Sequence, residues 1–230
     1  MWNKAAAFVV SALLVASCRQ SANDSPFPTP ERDVSPITGP AFSTEDVRDR
    51  MGEFTQVVGL ADVKPGMWVA DVGSGEGYYA VRLAPVVGPH GRVLAEDIQP
   101  EVTTELAQRI DREHLDNVAV SLGTPDDPKL PANSFDRIFL VHVYHEVESP
   151  YAFLWHLREG LKPGGRVDVV ELDRPPRRHG IPPGTLICEF AALGLKQLRV
   201  VTMTDEDAYF AEFEVSAPRP APANILPCKA

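Results

Sequence analysis

Val69-Ala70-Asp71-Val72-Gly73-Ser74-Gly75-Glu76-Gly77-Tyr78 carries an apolar strand into three alternating glycines and then into a helix. Glycine permits a tight turn there, and its missing side chain lets backbone approach a ligand at the strand's C-terminal end. A dinucleotide-binding loop needs G-x-G-x-x-G/A, whose third small residue packs helix on strand. Tyr78 stands at that position and is too large. A phosphate-cradling loop needs Gly-Lys-Ser/Thr, which this stretch lacks. What remains is an acid followed by Gly-x-Gly-x-Gly.

Around this loop the chain alternates. Strands are expected over 68–72, 92–97, 118–122, 137–141 and 166–171, with helices over 78–86, 100–113 and 150–161 between them. That rhythm indicates an α/β fold, a parallel sheet with helices on both faces. A helix is expected to lead in from Ser43 to about Leu60, with Val47, Met51, Phe54, Val57 and Val58 on one side. A helix over 183–193 then precedes two strands, 198–203 and 209–216, joined by Thr204-Asp205-Glu206-Asp207. This hairpin predicts an antiparallel strand at the end of the sheet.

The loop resembles the first motif of class I S-adenosylmethionine (SAM)-dependent methyltransferases, and further landmarks follow in the order of that family. Val93-Leu94-Ala95-Glu96-Asp97-Ile98 ends the second strand in acids, and Ser134-Phe135-Asp136-Arg137-Ile138-Phe139-Leu140 resembles the fourth strand. Leu161-Lys162-Pro163-Gly164-Gly165-Arg166-Val167 resembles the helix stop and turn before the fifth. The resemblance implies a Rossmann-like seven-stranded sheet, mostly parallel with an antiparallel terminal hairpin strand. It implies SAM as cofactor and transfer of its methyl group to an acceptor. It places Asp71 at the methionine amino group, Gly73, Ser74, Gly75 and Gly77 along the methionine end, and Asp97, with Glu96 as rival, on the ribose hydroxyls. The family often has Gly-Asp after the third strand, where the carboxylate meets the adenine. Here Gly123 precedes Thr124, so either Asp126 reaches the adenine or backbone does.

Methyl transfer from a sulfonium is an in-line displacement in which the protein aligns the partners and can remove a proton from the nucleophile. Val-His142-Val-Tyr-His145-Glu-Val follows the fourth strand, the segment that faces the reaction centre in the family. His142 and His145 are the candidate bases. No metal is expected: zinc peptidases space two histidines at i and i+4 on one helix, and here the spacing is three. Glu171 and Asp173 are expected to line the substrate side, and Arg174, Arg177, Arg178 and His179 form a basic loop.

The ends set the organisation. Lys4 precedes the uncharged run AAAFVVSALLVAS, which is too short to span a membrane as a helix (about 20 residues) and fits an export signal. Val15-Ala16-Ser17-Cys18 resembles a bacterial lipobox, which implies acylation of Cys18 and a lipid anchor on the periplasmic side of a membrane. A cytoplasmic protein is the alternative. The expected divisions are a signal over 1–17, a Pro-rich linker over 18–42, the methyltransferase domain over 43–217 and a Pro-rich tail over 218–230. Cys188 and Cys228 then remain as a pair that an oxidising compartment would permit to bridge. The chain is 44% hydrophobic and 23% charged, an ordinary globular balance, with a net charge of −10. That charge argues against nucleic acid as substrate, and a small-molecule acceptor is the default expectation. Export would separate the domain from cytoplasmic SAM, so a catalytically silent binding module of the same fold is the second reading.

Overall fold

The computed structural model describes residues 25–37, 44–204 and 207–229. The expected signal, Cys18 and the junction to the first helix lie outside those residues. Seven strands form one sheet in the order β3-β2-β1-β4-β5-β7-β6. They are β1 (Trp68–Val72), β2 (Arg92–Asp97), β3 (Val118–Leu122), β4 (Phe135–Val141), β5 (Leu161–Leu172), β6 (Leu195–Thr202) and β7 (Ala208–Val215). β1 lies parallel to β2 and β4, while β7 inserts antiparallel between β5 and β6. This is the mostly parallel sheet with a terminal antiparallel hairpin that the alternation predicts.

The helices are α1 (Glu45–Met51), α2 (Glu53–Leu60), α3 (Tyr78–Val87), α4 (Pro100–Glu113), α5 (Pro150–Leu157) and α6 (Pro183–Ala192). They build two apolar clusters. One gathers α5 and α6 on the sheet through Leu154, Leu157, Leu186 and Phe190, and the other gathers α2 and α3 through Val57, Leu83 and Val87. Burial of a Leu or Phe side chain stabilises by roughly 1.5–3 kcal/mol, so both clusters contribute substantially.

Three departures from the expected elements have local causes. The leading helix is two helices, because Gly52 takes φ 68° and its N–H caps α1 on Arg48 and Asp49. β5 begins at Leu161, where a register shift against β4 between Phe135 and Arg137 absorbs the glycine pair. Gly165 is required in that bulge, since a Cβ would lie 2.7 Å from the Phe135 carbonyl oxygen.

The third departure is the segment 25–37, which is extended, as its prolines dictate, but is not a free linker. Phe27 packs edge-on against Trp155 at 5.6 Å, and Arg32 pairs with Glu189 at 2.9 Å with both side chains buried. Ser35 donates its N–H to the His145 carbonyl at 3.0 Å. The tail docks on the same side: Trp155 donates to the Pro220 carbonyl, Arg219 lies 3.3 Å from the Trp155 ring, and Cys228 N–H donates to the Tyr151 hydroxyl. Cys188 and Cys228 form a disulfide with Cα atoms 6.0 Å apart. Among the described residues, no helix is long and apolar enough to cross a membrane.

Candidate active site

A cleft of about 1150 Å³ opens at the C-terminal ends of β1, β2 and β4. The glycine loop forms its floor. Gly73, Gly75 and Gly77 all have positive φ, at 71°, 52° and 87°. A Cβ on Gly73 would meet Val143 at 2.4 Å and one on Gly77 would meet Leu106 at 2.3 Å, so those two let neighbouring elements close on the loop. Gly75 faces nothing within 4 Å, and its open side is the cradle.

The acids behind the loop divide into two kinds. Asp97 accepts from the Gly75 and Gln99 N–H groups, each at 3.0 Å, and so fixes the loop as well as lining the cleft. Glu96 also lines the cleft, but its Oε1 is buried without a hydrogen-bond partner, as is the Ser74 hydroxyl. Burial pushes the Glu96 carboxyl up to about 8, with the Asp97 charge adding to it. Asp71 lies beneath the loop rather than in the cleft wall. Burial raises its carboxyl to about 7 against the pull of Arg48 and of the Ala80 N–H, and its Oδ2 has no hydrogen-bond partner. Asp71 therefore stands behind the loop, outside the cleft lining.

Asp126 does not reach the cleft. The Thr124–Asp127 bridge turns the loop after β3, and the exposed Asp126 carboxylate accepts from the Thr124 hydroxyl at 2.9 Å. Thr124 and Pro125 are the lining residues there.

The other wall follows β4. His142 takes φ 55°, a conformation costing roughly 1–2 kcal/mol for a residue with a Cβ, and swings the chain across the cleft. Its Nε2 lies 3.5 Å from Glu53 of α2, and Arg48 holds the same carboxylate at 2.6 Å. Burial would raise Glu53, but hydrogen bonds to His142 and Arg48 outweigh it and hold the carboxyl at about 2. His145 is buried in a 3₁₀ turn, Tyr144–Glu146. Its Nδ1 lies 2.8 Å from Oε2 of the fully buried Glu171, whose Oε1 also accepts the His145 backbone N–H at 3.1 Å. This fixes the ring with Nδ1 as donor and leaves the Nε2 lone pair toward the cleft. Glu146 and His179 stand beside it, while Asp173 is exposed and its backbone N–H donates to the Asp207 carbonyl at 2.7 Å.

These features fit SAM. Unpartnered buried oxygens at Glu96, Asp71 and Ser74 await donors or positive charge, and Gly75 leaves room for a ligand to approach backbone. SAM is a cation with an α-amino group, a sulfonium and a vicinal diol, and an acid pair suits vicinal hydroxyls.

Comparison with known proteins points the same way. Residues 69–165 match the family described as "Methyltransferase domain". Over those residues the chain is similar to a methyltransferase domain, and its sheet has the fold of the class I SAM-dependent methyltransferases. A SAM-dependent methyltransferase from Aquifex aeolicus superposes with a TM-score of 0.68 at 26% identity, over 73% of this chain and 92% of that one. The protein-L-isoaspartate O-methyltransferase of Methanothrix thermoacetophila is 32% identical over 48% of this chain and 50% of its own length. The ubiquinone/menaquinone biosynthesis C-methyltransferase UbiE of Teredinibacter turnerae is 30% identical over 50% of this chain and 47% of its own. The chain thus spans about half the length of these curated relatives.

Proposed function

We propose that this protein transfers the methyl group of SAM to a small-molecule acceptor bound between the β4 wall and the glycine loop. The observation that carries the reading is the pairing of buried, unpartnered acid oxygens behind the open Gly75 cradle with an oriented imidazole across the cleft. When bound, SAM supplies an activated methyl group. The chain's own residues do the rest. Gly73, Ser74, Gly75 and Gly77 shape the methionine end, Asp97 and Glu96 meet the ribose hydroxyls, and Asp71 balances charge from below.

Of the two histidines, His145 is the better placed for proton transfer. Its Nδ1 is held by Glu171 and its Nε2 lone pair can take a proton from the acceptor, whereas His142 is engaged by Glu53 through Nε2 and its Nδ1 is buried. An imidazole oriented by a buried carboxylate is an arrangement for general-base work and is not needed by a silent binding module. The acceptor is inferred to be small because α1 and Ile37 line the cleft and narrow it. Formation of S-adenosylhomocysteine from SAM across a panel of small hydroxyl, thiol and amine acceptors tests this. Turnover is expected to fall by ~10²–10⁴ in His145→Ala, with SAM affinity within threefold of wild type. SAM that binds but is never demethylated would favour the binding module.

The location is likewise proposed. The short apolar run before Cys18 and the Cys188–Cys228 bridge both suit an exported, lipid-anchored protein. Cys18→Ser is expected to move the protein from the membrane to the soluble fraction, and an unchanged distribution would sink the anchor.

A further inference from the structure

We propose that His145, Glu146 and His179 bind one divalent transition-metal ion, of the zinc type, at the acceptor end of the cleft. One ligand atom from each of the three lies within 4.8 Å of the others. The His145 Nε2 is 3.9 Å from Glu146 Oε1, and the two imidazole rings meet edge to face at 5.8 Å. Bonds of ~2.0–2.1 Å would put tetrahedral ligand atoms about 3.4 Å apart, so the three need close by only about an ångström. His179 lies in the loop after β5, just past a short 3₁₀ turn, Pro176–Arg178.

The neighbour of His145 strengthens the assignment. A metal-bound histidine characteristically donates its second ring N–H to a carboxylate, which fixes the tautomer and raises ligand basicity. Glu171 makes that contact at 2.8 Å from full burial. Two imidazoles and a carboxylate suit zinc and its first-row neighbours, and three protein ligands leave a fourth position for a molecule in the cleft. All three side chains line that cleft. The spacing His142-x-x-His145-Glu146 argues against a metal, but His142 is turned to Glu53, and the second imidazole comes from the loop after β5.

The ion would change how the cleft treats an acceptor, a consequence that rests on the methyltransferase reading. It would occupy the Nε2 lone pair, so the acceptor would bind through the open metal position and release its proton to solvent, its pKa lowered by the cation. His145 would then serve as a ligand, and its role as base belongs to the metal-free protein.

The test uses the full chain, stripped with a chelator and titrated with Co²⁺ while the visible ligand-field absorption is followed. One Co²⁺ per chain is expected, displaced by Zn²⁺. Binding should weaken at least tenfold in each of His179→Ala, His179→Gln and Glu146→Gln, with circular dichroism unchanged. His90→Ala, an exposed histidine remote from the cleft, should bind as wild type does. No Co²⁺ spectrum, or a spectrum unaltered in the His179 and Glu146 variants, would overturn the site. SAM affinity measured on the same stripped protein is expected to stay within threefold, so loss of the metal and loss of the cofactor reading are told apart.

Discussion

The two ends of the domain are fastened by different physics. Over the glycine loop lies α1, which buries no residue and is held by charge. Glu45 and Asp49 pair with Arg82 at 3.0 and 2.7 Å, and Glu45 also pairs with Arg109 of α4. On the far side of the sheet, α5 and α6 are covered by the 25–37 segment and the tail through aromatic contacts, the buried Arg32–Glu189 pair and a disulfide. Half-exposed ion pairs are individually weak and screened by salt, whereas a buried pair or a covalent bridge is not. The contrast is one of strength: α1 rests on weak, salt-sensitive contacts, and the α5–α6 side on strong ones.

Breaking the tied side should cost most. Arg32→Ala leaves Glu189 buried with only the Tyr144 hydroxyl, at 2.8 Å, as partner, and is expected to destabilise by about 3–5 kcal/mol in chemical denaturation. Reducing the Cys188–Cys228 bridge, which spans a sequence separation of 40, is expected to cost about 2–4 kcal/mol. Neither change should move SAM affinity more than threefold. A large affinity loss would show that the two sides are coupled.

The unliganded cleft should show in the pH dependence of stability. Asp71 and Glu96 titrate near 7 and 8 in the folded protein, well above ordinary carboxylates. Between about pH 4 and 8 the folded state therefore holds protons that the unfolded chain has released, and stability falls as pH rises through that window. Asp71→Asn is expected to flatten the slope of Tm against pH, and an unchanged slope would remove Asp71 from the account. The smallest effect belongs to α1. Glu45→Gln is expected to cost less than about 1 kcal/mol at low salt and nothing measurable in 1 M salt.

The cofactor edge was legible because its signals are local. Three glycines at alternate positions and acids at strand ends act through backbone geometry within a few residues, and β1, β2, β3 and α4 have the expected limits. What escaped depends on partners distant in sequence. The Pro-rich composition of 25–37 predicts an extended chain but not that Arg32 finds Glu189. Nor does it reveal that His179 comes beside His145. Gly52 divides the leading helix because its φ is positive, a choice that the apolar stripe Val47–Met51–Phe54 does not show. Sequence leaves the adenine contact to either Asp126 or backbone, and the turn made by Thr124 and Asp127 directs Asp126 outward.

Calorimetric titration of the full chain with SAM, at pH 6.0 and 7.5, tests the central claim most directly. Both values lie below ~7.7–8.0, the ordinary pKa of an α-amino group, so most of the ligand's amino group stays protonated at each. The acids behind Gly75 must ionise to meet a cationic ligand, so one site per chain should tighten as pH rises, with protons released on binding. In Gly75→Val, whose side chain enters the open cradle at φ 52°, affinity should fall at least ~100-fold while the fold persists. Wild type that fails to bind SAM, or a folded Gly75→Val that binds it equally well, would contradict the account.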